Sequence, residues 1–204
     1  LLAQGGQVES DFAFASVTKP LVAWSAAVAY ERALLDLDAP AGPHLPGATV
    51  RHLLAHASGV APNDDSVLAA PGTKRIYSNR GIELLGQVLE QATGYQLDQW
   101  VELSVLEPLG LASILIPGSP AHSGMGNAVD LAAFTRELAA PTLASADTAK
   151  LFTSVAFPGL SGVLPGYGKQ SPCDFALGFE VYGAKQPHWL CNAQSMQTFG
   201  HFGQ

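Results

Sequence analysis

The sequence predicts a mixed chain, helical through its middle and strand-bearing at its end. Apolar residues recur at three- and four-residue spacing from Leu21 to Leu35, from Ile82 to Leu89 and from Leu97 to Leu106, the period of helices with a buried face. From Leu160 to Gln204 the character changes: glycines are many, and Phe175-Ala176-Leu177-Gly178-Phe179-Glu180-Val181-Tyr182 reads as a strand. Size sets the third constraint. With 204 residues and 21.2 kDa the chain suffices for one sizeable domain over 1–204 and falls short of two ordinary ones.

Taken in order, Phe12-Ala13-Phe14-Ala15 leads into Ser16, the expected N-cap of the first helix. Pro20 then lies in the first turn, where a missing N–H is tolerated best, and the helix is expected to end by Asp36 to Pro40. Ala39 to Gly47 is a proline and glycine connection. Thr49 caps a short helix through Arg51 to Ala57, stopped by Gly59. After a loop from Pro62 to Gly72, further helices are expected from Asn79 to Thr93-Gly94, from Leu97 to about Pro108-Leu109-Gly110, over Ala128 to Ala139 and over Ala146 to Phe152. No internal repeat interrupts this order.

Composition narrows the function. Ten Lys and Arg against 17 Asp and Glu leave a net charge of −7, and no basic run exists to track a phosphate backbone, so nucleic acid is not an expected partner. The longest apolar candidate, Pro20 to Tyr30, is well short of the roughly 18 residues a membrane span needs, so the chain reads as soluble. It starts at Leu1 with no basic or hydrophobic leader, as a processed, trimmed or fragment chain does, and its compartment stays open. Cys173 and Cys191 read as two thiols rather than a disulfide framework. His52 and His56 share a helix face, but Leu53 stands where a zinc peptidase motif carries glutamate, so structural roles are favoured and no metal is expected. No G-x-S-x-G occurs.

Three constellations carry chemistry. Ser16-Val17-Thr18-Lys19 puts a hydroxyl and an amine three apart on one helical face, at a helix N-terminus that favours developing negative charge. Among Phe14, Leu21 and Trp24 the amine is desolvated, which lowers its pKa toward that of a proton acceptor. Tyr77-Ser78-Asn79 places a phenol and a carboxamide just before a helix, suited to proton transfer and to holding a substrate carbonyl. His201-Phe202-Gly203 supplies a titratable ring beside a glycine that admits close backbone approach. Each alone is weak, since a capping serine, an ordinary loop and a lone histidine explain them equally well.

In this order and with these neighbours, the three pieces resemble the serine β-lactamase and penicillin-binding-protein superfamily. The resemblance is to its class C-like branch of esterases, D-aminopeptidases and D-alanyl-D-alanine carboxypeptidases, and it covers nearly the whole chain. Thr49 to Gly59, Pro71-Gly72, Leu84-Leu85-Gly86, Thr93-Gly94, Glu107 to Leu111, Asp130-Leu131 and Leu177-Gly178-Phe179 follow in family order. The resemblance implies an α+β, β-lactamase/transpeptidase-like fold: a helical region over about 16–152 packed on an antiparallel sheet drawn from 1–15 and 160–204. It further implies Ser16 as acyl-accepting nucleophile, Lys19 as its proton-handling partner, Tyr77 as base or leaving-group acid, and Asn79, His201 and Gly203 as substrate-binding positions. The backbone N–H groups of Ser16 and Gln204 would form the oxyanion hole, and the chemistry needs neither metal nor cofactor.

Two departures qualify this. Phe202 replaces the small hydroxyl residue usual before Gly203, which argues against tight binding of penicillins, while His201, where many relatives carry lysine, is more usual among the esterases and peptidases of the branch and points to a small ester, amide or peptide as substrate. Family members also extend beyond both ends, so the chain is expected to be truncated, with an unpaired sheet left for a homo-oligomer or a sheet-completing chain. The alternative to a hydrolase is a binding or interaction protein that kept the pocket and lost turnover. A full set of polar pocket residues is costly to keep in an apolar site without use, which favours the enzyme.

Overall fold

A helix with no dry side and no wet side organises the structure, a computed structural model that describes residues 5–203. Helix α1 (Thr18–Glu31) is buried at every residue from Thr18 to Ala29. Its apolar residues cover the whole circumference rather than one stripe, which is what a helix surrounded by protein requires. Small side chains at Ala23, Ala26, Ala27 and Ala29 let neighbours approach, and the Trp24 Nε1–H donates to the buried Glu137 at 3.2 Å.

Around α1 lie α2 (Val50–Leu54), α3 (Asn79–Thr93), α4 (Leu97–Val101), a π-helical turn (Glu102–Leu106) running into α5 (Glu107–Leu109), α6 (Ala128–Ala139) and α7 (Ala146–Thr153). Side-chain caps fix several starts: Ser78 accepts from the Gly81 N–H, Asn127 from Asp130 and Ser145 from Thr148. Thr49 precedes α2 as expected, with its backbone N–H donating to His52 Nδ1 at 3.1 Å. Among the described residues the strands are short and form three small sheets. In one, β1 (Phe12–Ala13) is antiparallel to β3 (Met125–Gly126). In another, β4 (Gly162–Leu164) pairs parallel with β2 (Arg75–Ile76) and antiparallel with β5 (Gly168–Gln170). In the last, β6 (Glu180–Val181) is antiparallel to β7 (Phe199–Gly200), with Glu180 opposite Gly200. The fold is the β-lactamase/transpeptidase-like α+β arrangement, and two of its strands, β2 and β3, come from within the helical region.

Three sequence expectations change. Ser16 is not an N-cap: a 3-10 turn (Ala15–Val17) precedes α1, so Val17 takes the cap position and Pro20 falls third in the helix, where its missing N–H has no partner to lose. The helix from Thr49 stops at Leu54, three residues before Ala57, because His56 adopts φ 54. The strand expected over Phe175 to Tyr182 shrinks to Glu180–Val181. Its centre, Gly178, is at φ 89 and its N–H donates to Leu54 O, turning the chain onto α1 so closely that a Cβ there would collide with Ala23. Both cysteines are free, Cys173 buried and Cys191 exposed. Among the described residues no helix is long and apolar enough to cross a membrane.

Candidate active site

The start of α1 presents Ser16 from a strained turn. Ala15 holds φ 46, a conformation that costs a non-glycine residue about 1–3 kcal/mol and persists only where surroundings impose it. The surroundings are visible. Thr18 Oγ1 donates to Ala15 O at 2.7 Å, and a Cβ added to Gly203 would lie 2.5 Å from Phe14 O. Gly203 is thus pressed, as bare backbone, against the turn that carries the serine hydroxyl.

Lys19 reaches back along the helix so that its Nζ donates to Ser16 Oγ at 3.0 Å, to Asn79 Oδ1 at 2.8 Å and to Ala121 O at 2.9 Å. The residue is 1% exposed, and burial pushes its amine down to about 7. At that value the lysine is neutral in about half the molecules at neutral pH. A neutral amine has two donors, which Asn79 and Ala121 take, and one lone pair, which is left for the Ser16 hydroxyl proton.

Tyr77 closes the opposite side. Lys19 Nζ lies 4.6 Å from the centre of its ring, and the phenol neighbours the Ser16 hydroxyl. Burial raises the phenol above its ordinary value, the adjacent Ser16 hydroxyl opposes only part of that rise, and the charge of Glu180 adds to it. Tyr77 is therefore a neutral phenol, not a standing phenolate. The ring is packed by His56 at 4.6 Å, itself edge-on to Phe175 at 5.3 Å. His56 Nδ1 accepts from the Ser78 N–H, and burial with the neighbouring Lys19 charge keeps the ring neutral. His52 instead stacks on Phe157 at 4.4 Å, so the two histidines read as a spaced pair serve different neighbours.

His201 stands beyond Tyr77, ring centres 5.9 Å apart. Its Nδ1 lies 2.8 Å from Phe202 O, and since a carbonyl only accepts, Nδ1 carries the proton and Nε2 is a bare acceptor. Nε2 is buried with no partner among the described residues. Burial, then the Lys19 charge, depress the ring to about 3. Phe202 turns away to pack edge-on against Tyr167 at 5.7 Å. Gln204, read as an oxyanion-hole donor, lies outside the described residues.

The structure thus brings Ser16, Lys19, Tyr77 and Asn79 together, with His201 next to Tyr77 and Gly203 beneath the turn. It adds groups that sequence reading missed. Asn63 Oδ1 accepts from Asn79 Nδ2 at 3.0 Å and so fixes which end of the amide faces Lys19. The Ala121 carbonyl leaves no side-chain trace. A polar Asn in the Pro62 loop was the only available hint of the first, and nothing in the sequence marks the second.

The fold built around this cluster is that of the β-lactamase and penicillin-binding-protein superfamily. The model of the beta-lactamase family matches residues 7–204, and the chain belongs to that family. A solved beta-lactamase from Mycobacterium bovis is 47% identical with a TM-score of 0.96, covering 100% of this chain and 75% of that one. A D-stereospecific amidohydrolase from Streptomyces sp. shares the fold at 19% identity and a TM-score of 0.74, covering 96% of this chain and 76% of its own. Among curated proteins, a 41-residue stretch is 51% identical to a provisionally named D-alanyl-D-alanine carboxypeptidase of Escherichia coli (strain K12). That stretch is 20% of this chain and spans only 9% of the relative.

Proposed function

We propose that the chain hydrolyses a small ester or amide through an acyl-enzyme on Ser16. The observation that carries this reading is the 3.0 Å contact between Ser16 Oγ and an amine that burial has pushed down to about 7. Lys19 takes the Ser16 proton as Oγ bonds to the substrate carbonyl carbon. The electron pair moves to the carbonyl oxygen, which the N–H of Ser16, with that of Gln204, would receive. Collapse of the tetrahedral species breaks the bond to the leaving group. Tyr77 gives that group its proton and regains one from the Lys19 ammonium. Water then repeats the cycle on the acyl-enzyme. Asn79 orients Lys19 and the substrate carbonyl, and His201 Nε2 offers an acceptor to a substrate N–H or hydroxyl.

A fluorophosphonate that labels activated serines tests this without a known substrate. Peptide mass after labelling is expected to place the adduct on the Ser16 peptide alone. The labelling rate is expected to rise with pH and level off above about 7, because only the neutral amine accepts a proton. A folded chain with no adduct would instead leave a binding protein with a silent pocket.

A further inference from the structure

Lys19 owes one of its three partners to a strap that crosses from α3 to α1. The segment 117–124 carries the Ala121 carbonyl to the amine and is tied down at both ends. At the α1 end the Gly124 N–H donates to Thr18 Oγ1 at 2.8 Å, and Gly124 O accepts from the Phe14 N–H at 2.7 Å. At the α3 end the Ser119 hydroxyl donates to Glu83 Oε1 at 2.9 Å and accepts from the Ala121 N–H at 3.3 Å. Glu83 lies one helical turn beyond Asn79, so one face of α3 supplies Lys19 with the Asn79 amide directly and with the Ala121 carbonyl through the strap. Neither Glu83 nor Ser119 hydrogen-bonds to Ser16 or Lys19.

We propose that Glu83 and Ser119 are positioning residues that hold the Ala121 carbonyl on the Lys19 amine and thereby set the pH at which Ser16 becomes reactive. The inference rests on Lys19 being the proton acceptor. A carbonyl accepting from Nζ favours the ammonium form and opposes burial, so releasing it moves the titration of the amine to lower pH. It also frees the amine to swing off Ser16. The other titratable groups facing Lys19 are Tyr77, held neutral, and the two histidines His56 and His201, also neutral, so none of them compensates. Glu83 itself also takes Arg80 at 3.3 Å and borders a surface cavity of about 390 Å³, which keeps the effect moderate.

The test is the pH dependence of Ser16 labelling by the fluorophosphonate in Ser119→Ala, Glu83→Ala and Glu83→Gln, with thermal melts alongside. Ser119→Ala and Glu83→Ala are expected to lower the plateau rate about three- to tenfold and to move the midpoint to lower pH. Combining them is expected to add little, because both cut the same link. Glu83→Gln keeps an acceptor for Ser119 and is expected to restore the parent midpoint. If the two alanine variants lose rate equally at every pH with an unmoved midpoint, the strap is merely structural and the proposal is overturned. If the parent itself is not labelled on Ser16, the hydrolase reading fails instead, and the two failures are distinguishable.

Discussion

The first half of the site and its last segment are held by different forces. Ser16 and Lys19 ride on a helix whose residues from Thr18 to Ala29 are buried, and Asn79 opens a helix with a serine cap. Among the described residues after Thr153 the strands are only two or three residues long, so most of the backbone carbonyls there have no ladder partner. Buried cations take their place. The Arg75 guanidinium donates to the carbonyls of Ala55, Cys173, Ala156 and Phe157, and stays charged although burial lowers it to about 10. Lys185 donates to the carbonyls of Asp174 and Val181. Glu180 then gathers Lys185 at 3.4 Å, His188 at 2.7 Å and the Trp189 Nε1–H at 2.5 Å, one residue from the strand register that positions His201. Apolar burial is a collective effect that tolerates single changes, whereas a segment stapled by three charged side chains fails when one is removed.

That contrast is broken most sharply at its two charged anchors. Lys19→Ala is expected to slow Ser16 labelling by about 10²–10⁴-fold, the worth of a positioned proton acceptor, with a stability loss of only about 1–2 kcal/mol from Asn79 Oδ1 and the Ala121 carbonyl left without a donor. Labelling within tenfold of the parent would show that another group accepts the proton. Glu180→Ala is expected to act the other way round, costing about 3–5 kcal/mol in denaturant unfolding because Lys185 is left buried and uncompensated. Glu180→Gln keeps one acceptor oxygen, enough for Trp189 or His188 but not both, and is expected to cost less than the alanine variant. A loss under about 1 kcal/mol for the alanine variant would mean that the last segment is held by packing after all.

Gly178→Ala probes the seam between the two regions. The position combines φ 89 with contact against Ala23 of α1, so a methyl group meets both backbone strain and an unyielding helix. About 3 kcal/mol of destabilisation is expected from calorimetry or denaturant titration. A neutral outcome would mean that the segment slides off α1 without penalty.

The same seam explains what sequence reading captured. The helices over Asn79–Thr93 and Ala128–Ala139 match their expected bounds because cap chemistry and apolar period both lie in the residues themselves. The S-x-x-K pair was legible for the same reason, since three-residue spacing on a helix dictates proximity. Ser16 as N-cap failed because the turn before α1 is imposed from outside, by Gly203 against Phe14, nearly two hundred residues away in sequence. The long strand through Gly178 failed because its bend is likewise a tertiary contact. The Ala121 carbonyl, the Asn63 acceptor and the strap behind them depend on backbone paths that no periodicity encodes.

The smallest expected effect lies on the side of the comparison that burial secures. Ser78 is 1% exposed, and its hydroxyl accepts from the Gly81 N–H at 2.8 Å while donating to Ala61 O at 2.7 Å. Ser78→Ala removes the α3 cap and leaves a buried carbonyl without its donor, together worth about 1–2 kcal/mol. Asn79 is the first residue of α3, so fraying there also loosens its grip on Lys19. Because the core packing of Ile82, Leu85 and Leu89 still anchors the helix, the rate of Ser16 labelling is expected to fall by less than about tenfold. A stability loss equal to that of Glu180→Ala would show that the helical half, too, hangs on single polar side chains, and would erase the distinction between the two regions.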